Sequence, residues 1–548
     1  MLVHHALIST SAMKIPRLAT AALFAFSISA AAQQPGLRLF APLGPSETQL
    51  VDGQGNQVHS WPGGGTTSCY LRPNGNLIRG MVEPSIGIPG TTGRLQEMNI
   101  EGTISWDCVV SDAQKLMHHD IEIMPNGNIL VIAADRLVPV DAIAEGRDPS
   151  LIAGAFWLPD SVLELERTGL NTFNIVWEWH VKDHFVQDFD PTKPNFGVVA
   201  NEPGKLDINF PPVVLNTTYY NHMNGIDYDP INDWIVVSNR KQEEIWLIDH
   251  STTTAEAAGS TGGARGKGGE LLWRWGNPQA YDHGGPVDQQ LHRQHDPRFI
   301  PPGYPGAGNL TMFDNDHILG ATNQSAVYEI ELPIDGTGLP FIDPGLGQYG
   351  PAAPVWIYTD PGFYSPFVSS AERLANGNTL VCSGQQSYLF EIDPSGTVVW
   401  SFNPVGAPFV FQVQNVDRRL WTNADELSVT GGRVEFTNIV DSSHAGDTFY
   451  LLGSLSGTSP GTLMPGGVVV PLNFDVLMIG MAVYPNIGVF QNTMGTFDPS
   501  AKEVSALDVP PGLIDPSLVG FDMDFAHLIL QGGFTTHVSN TVRVSIVN

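Results

Sequence analysis

Three short strings place imidazoles in matching settings: His118-His119-Asp120, His222-Met223-Asn224 and Gln294-His295-Asp296. Each stands a few residues before a turn-forming stretch, namely Met124-Pro125-Asn126-Gly127, Tyr228-Asp229-Pro230 and Phe299-Ile300-Pro301. Arg240 follows the second of them, in Val237-Ser238-Asn239-Arg240. Neutral imidazole acts as nucleophile or general base, and imidazolium protonates a leaving oxyanion. Arginine adds a planar fork for two oxygens of an anion such as sulfate, with a charge that survives any pH of interest. At one opening, these imidazoles with the Asn224 amide and the Arg240 guanidinium would make an anion site. The residue types alone also fit solvated polar positions. A His/Asp metal site is disfavoured because Arg240 would oppose a cation, so neither metal nor cofactor is expected.

Convergence needs a scaffold, and the sequence supplies a repeat. An apolar strand ending in Trp recurs six times, at Val58–Trp61, Ile104–Trp106, Ile175–Trp179, Leu271–Trp275, Val355–Trp356 and Val398–Trp400. Between the copies lie hairpins whose turns need positive φ: Arg72-Pro73-Asn74-Gly75-Asn76, Met124-Pro125-Asn126-Gly127-Asn128 and Leu374-Ala375-Asn376-Gly377-Asn378. Hairpin plus strand pair makes a four-stranded antiparallel blade that buries little alone and must pack radially with its neighbours. The pair Thr48–Trp61 lacks a hairpin before it, and Phe409–Trp421 lacks a Trp strand after it, so these halves are expected to pair and close the ring. The expected fold is all-β, a six-bladed β-propeller over 33–440 followed by a small β sandwich over 441–548. In such a ring the first strand of each blade lines the centre, so residues preceding the hairpins meet at one rim. Asp183–Thr218 interrupts the pattern as a lid or pocket wall, and Ser251–Gly269 as a flexible tract.

The chain has 548 residues, with Gly (58) and Pro (42) frequent and charged residues scarce at 15%, which favours β structure with many turns. Its 26 Lys+Arg against 56 Asp+Glu give a formal charge of −30, which repels phosphate backbones and anionic lipid and argues against nucleic acid as partner. Lys14 and Arg17 precede an apolar stretch to Ala30-Ala31-Ala32, so residues 1–32 read as an export signal and the expected location is periplasmic or secreted. No later segment reaches membrane-spanning length. Cys69, Cys108 and Cys382 form no disulfide framework.

At these motifs the sequence resembles the arylsulfotransferase family. The supporting strings are His118-His119-Asp120-Ile121 with Pro125-Asn126-Gly127-Asn128, His222-Met223-Asn224 with Ser238-Asn239-Arg240, and Gln294-His295-Asp296 with Phe313-Asp314-Asn315. The resemblance runs from about Gln49 to Asn403. It implies that His295 is transiently sulfated and that His222, Asn224 and Arg240 are the other catalytic residues. His118 or His119 enters the site as a substrate-binding residue, the two remaining undecided. It further implies ping-pong transfer of a sulfuryl group from a phenolic sulfate ester to an acceptor phenol, without a nucleotide sulfate donor. Family members carry an additional β domain before the propeller, whereas here the extra segment follows it, and oligomeric state is not readable.

The rival reading is a non-enzymatic propeller that binds a polymer or protein at its rim, and quinone-dependent dehydrogenase propellers rank after it. Convergence of His295, His222 and Arg240 separates an enzyme from a binding module. Gly262–Gly268 imitates a phosphate loop but lacks its first glycine and its Ser/Thr. Glu122, Glu178, Asp227 and Asp229 are expected to face solvent or to bridge blades.

Overall fold

Each Trp strand of the repeat is the outermost strand of a four-stranded antiparallel sheet, and among the described residues there are six such sheets. The computed structural model describes residues 32–548 apart from 45–46, 84–89, 91, 153, 212–217, 319–321, 341 and 344–346. The expected export signal therefore lies outside the described residues, save for Ala32. Strand content is 44% and helix content 8%, so the chain is all-β. Gln33–Asn548 form one compact unit.

The hairpins form where the sequence places their turns, because Gly75, Gly127 and Gly377 take φ of +92°, +89° and +92°, a region that side chains with a Cβ avoid. Trp61, Trp106, Trp179 and Trp273 are fully buried. Three of their indole N–H groups reach carbonyls of other segments, Trp61 to Asn99, Trp179 to Gly269 and Trp273 to Gly350, at 2.9, 2.7 and 2.8 Å.

Neighbouring sheets are also clasped by charge. The asparagine closing a hairpin donates to a glutamate on its own sheet's third strand: Asn76 to Glu97, Asn128 to Glu164, Asn309 to Glu329 and Asn378 to Glu391, at 2.6–2.7 Å. Each glutamate then meets a cationic side chain from the next sheet: Arg167, His250, Arg373 and Arg38 respectively.

The innermost strands touch in a closed cycle: Thr66–Leu71, Lys115–Ile123, Met223–Asp229, His295–Phe299, Ser370–Arg373, Val410–Val416 and back to the first. Closure differs from the expected pairing. Val410–Val416 pairs with Leu37–Pro42, which pairs with Thr48–Val51, so a strand not foreseen lies between the two halves. Trp421 takes no part and pairs instead with Thr437 in the next sheet. The repeat thus ends at Val416 rather than near Val440, because Leu420–Thr422 and Gly432–Ile439 find partners further along the chain. Two sheets built from residues 420–547 share a separate hydrophobic cluster around Phe436, Leu452, Phe525 and Val544.

Arg38 and Glu391 join the closing sheet to its neighbour. Both are fully buried and 2.8 Å apart, with Arg38 over the Trp400 ring and Glu391 also accepting from Gln34 N. Removing Glu391 leaves the buried Arg38 charge without its directly paired carboxylate, so Glu391→Ala should lower unfolding stability by about 3–5 kcal/mol. Denaturant titration of the variant checks this, and a loss under about 1 kcal/mol would mean that the clasp adds little to closure.

The tract Ser251–Gly269, expected to be flexible, is pinned. Thr253 caps the short helix Thr254–Ala257 in a capping box, Ala264 N donates to Ser251 at 2.7 Å, and Gly269 O accepts from Trp179. In the insertion, Phe185–Val186 pairs in parallel with Leu206–Asp207.

Candidate functional site

The inner strands bend where the histidine motifs lie. Register shifts fall between Met117 and Ile121, Met223 and Gly225, and His295 and Arg298, and His119 and His222 both take φ of +58°. A left-handed non-glycine residue costs about 1–3 kcal/mol and persists only where surrounding contacts enforce it. Here the bulges turn imidazoles toward one another. The His119 and His222 rings meet edge to face at 4.6 Å between centroids, and Tyr219 meets His222 at 4.4 Å. Phe411, from the closing strand, lies 6.0 Å from the His119 ring and 6.4 Å from that of His295. Gly225 makes the close approach possible: a Cβ there would lie 2.8 Å from Asp296 N and from Pro297 Cδ, forcing apart the strands that carry His222 and His295.

His295 is buried, and its Nδ1 lies 2.6 Å from Asn315 Oδ1. The Asn315 amide cannot turn round, because its Nδ2 donates to Ser365 O and Val368 O at 2.7 and 2.9 Å. Asn315 therefore accepts, His295 donates from Nδ1, and the lone pair of the neutral ring sits on Nε2. Burial first, then the Arg240 charge, push His295 down to about 3 against these hydrogen bonds. His119 and His222 also fall well below the usual range. Burial leads for both, with neighbouring imidazoles and Arg240 adding to it. Four basic side chains thus share one site, of which Arg240 alone keeps its charge in the free protein. Arg240 is partly buried and anchored by its backbone N–H to His222 O at 3.2 Å.

The two adjacent histidines are placed differently, although both rings neighbour His222, His119 at 4.6 Å and His118 at 6.4 Å between centroids. His119 also lies against Phe411. His118 lies behind it, fully buried, with Nδ1 2.7 Å from His119 Nδ1 and Nε2 3.1 Å from Asp160. Asn224 is placed differently from expectation. It is fully buried and its amide nitrogen donates to Gln294 O at 2.8 Å, so it braces the His295 strand rather than presenting that hydrogen bond to a ligand. Gln294 adds to the brace through its own amide, 2.6 Å from Glu244 O. Sequence reasoning missed Asp160, Phe411 and the part played by Asn315; among these only Asn315 carried a signal, as part of Phe313-Asp314-Asn315.

Further into the centre the charge reverses. Asp296 pairs with Arg298 at 2.8 Å, and Tyr70 donates to Asp120 at 2.8 Å. Glu122 and Asp227, expected to face solvent or bridge sheets, interact with each other and with Arg298, because alternation from the histidine motifs points them inward. Burial pushes Asp120, Asp227 and Glu372 up to about 7. An anion therefore gains by stopping at the histidines. Among the described residues no group of three or more His, Cys, Asp or Glu is arranged to hold a metal ion, and no helix is long and apolar enough to cross a membrane.

The arylsulfotransferase family model matches residues 71–417, which include every histidine of the site as well as Arg240 and Phe411. No curated protein matches the sequence. Among solved structures, a protein of unknown function from Bacteroides caccae is similar at 14% identity over 69% of this chain and 98% of that one, with a TM-score of 0.38. The periplasmic gluconolactonase PpgL of Pseudomonas aeruginosa is similar at 12% identity over 70% of this chain and 99% of that one, with a TM-score of 0.36.

Proposed function

The chain belongs to the arylsulfotransferase family, and on that premise we propose that it transfers a sulfuryl group from a phenolic sulfate ester to an acceptor phenol by a ping-pong route through sulfated His295. The observation that carries this reading is the tautomer of His295: a neutral ring, fixed by Asn315, whose Nε2 lone pair shares the site with Arg240. The ester's sulfuryl oxygens take the Arg240 fork, which draws electron density from sulfur as the S–O bond stretches. His295 Nε2 attacks, an N–S bond forms, and the S–O(aryl) bond breaks as phenolate leaves. His119, the member of its pair in ring contact with both His222 and Phe411, exchanges the proton with the leaving and then the entering phenol. Phe411 and Tyr219 supply apolar wall for the aromatic ring. No step calls on a nucleotide donor or a metal. The six sheets and their cyclic contacts support a six-bladed propeller with its mouth at the histidines, and the separate C-terminal cluster supports an appended β sandwich. The Lys14–Ala32 pattern supports export.

Incubation with 4-nitrophenyl sulfate tests this reading. Release of 4-nitrophenolate should be slow alone and accelerate on adding phenol, with phenyl sulfate as product. Release indifferent to phenol would make the chain a hydrolase, and no release from any aryl sulfate would remove sulfuryl transfer altogether.

A further inference from the structure

Asp160 touches two of the site's histidine segments at once. One carboxylate oxygen lies 3.1 Å from His118 Nε2 and the other accepts from Met223 N, the peptide next to His222. The carboxylate is fully buried, opens a strand two segments away from any histidine motif, and has its own backbone N–H held by Asn221 Oδ1 at 2.9 Å. His118 is likewise sealed from solvent, so neither group can meet a substrate. What they can reach is His119, through the 2.7 Å contact between the two Nδ1 atoms. That contact requires one nitrogen to donate and the other to accept, which couples the proton on His118 to the tautomer of His119.

Resting on the aryl sulfuryl transfer proposed above, we propose that Asp160 and His118 are positioning residues forming a proton relay behind His119. At the start His118 carries both ring protons, one directed at Asp160 and one at His119 Nδ1, and His119 holds its proton on Nε2, facing the substrate. As the S–O(aryl) bond breaks, the His119 Nε2 proton passes to the leaving phenolate and the His118 Nδ1 proton moves to His119 Nδ1. His118 is then neutral and His119 presents an Nε2 lone pair. The acceptor phenol gives its proton to that lone pair while its oxygen attacks the sulfur on His295, and the His119 Nδ1 proton returns to His118. One proton enters, one leaves, and neither imidazole ever loses both. Burial, with the neighbouring imidazoles and Arg240 adding to it, keeps His119 low, which fits a ring that passes a proton on without storing charge itself.

A relay that protonates the leaving oxygen matters most when that oxygen is basic. The full chain with Asp160→Asn, and separately with His118→Gln, is assayed on phenyl sulfate and on 4-nitrophenyl sulfate. For phenyl sulfate kcat/KM should fall by about a hundredfold or more, and for the more acidic 4-nitrophenol leaving group by less than about tenfold. Rate against leaving-phenol acidity then steepens in both variants. An equal loss on both esters would mean that the pair is only scaffolding, and would overturn the relay. His118→Gln leaves the Asp160 contact to Met223 in place, so it decides the matter if Asp160→Asn melts early. Failure of the wild type on both esters would instead defeat the family reaction itself.

Discussion

Replacing His295 with alanine should abolish sulfuryl transfer and, with it, covalent labelling. Brief exposure of the wild type to an aryl sulfate without acceptor should add one sulfuryl group to the peptide containing His295, read by mass spectrometry at neutral to alkaline pH. The alanine variant should show no label. Because His295 is held down to about 3, its Nε2 stays unprotonated throughout the working range. Label formation should therefore stay level from neutral pH down to roughly pH 5, where an ordinary histidine nucleophile would already be failing. The side chain is buried and its loss leaves Asn315 Oδ1 unpaired, so the alanine variant should also lose about 1–3 kcal/mol of stability. His295→Gln, which can still donate to Asn315, should regain much of that stability and none of the activity. A label on another residue, or transfer by either variant, would show that His295 is not the nucleophile.

Arg240→Lys should cut kcat/KM by about a hundredfold to a thousandfold, the usual result of losing a preorganised donor to developing charge. The substitution keeps a positive charge but not the planar fork, so most of the loss should fall on kcat rather than on donor KM. Arg240 also helps keep His119, His222 and His295 neutral. Arg240→Ala should therefore raise all three toward the ordinary range and add an acid limb to the pH profile that the lysine variant lacks. A lysine variant within about threefold of wild type would place the sulfuryl group elsewhere.

How much of this was legible depended on whether a feature is local. The hairpin turns could be read because Asn-Gly needs positive φ whatever surrounds it, and Gly75, Gly127 and Gly377 adopt it. The Trp strands could be read from recurrence. Leu37–Pro42 could not, because a short apolar run after a signal-like segment has no turn or periodicity to mark it, and only its two neighbours make it a strand. The same holds at the site. His222, His295 and Arg240 stand out by type and by motif, as does the pair His118 and His119, between which the motif does not choose. Asp160 and Phe411 join them only through tertiary contacts, and Asn224 has the expected amide but directs its nitrogen to Gln294.

The closing sheet ties the chemistry to the order in which the chain can fold. Arg38 and Glu391 lie 353 residues apart in sequence, and Leu37–Pro42 must wait for Val410–Val416 to arrive. A contact of that span is entropically among the slowest to form, since the whole intervening chain becomes a loop when it does. Phe411, which stands between His119 and His295, rides on that last strand. A chain emerging from synthesis therefore carries every histidine of the site early but no finished pocket, and the site is completed together with the ring.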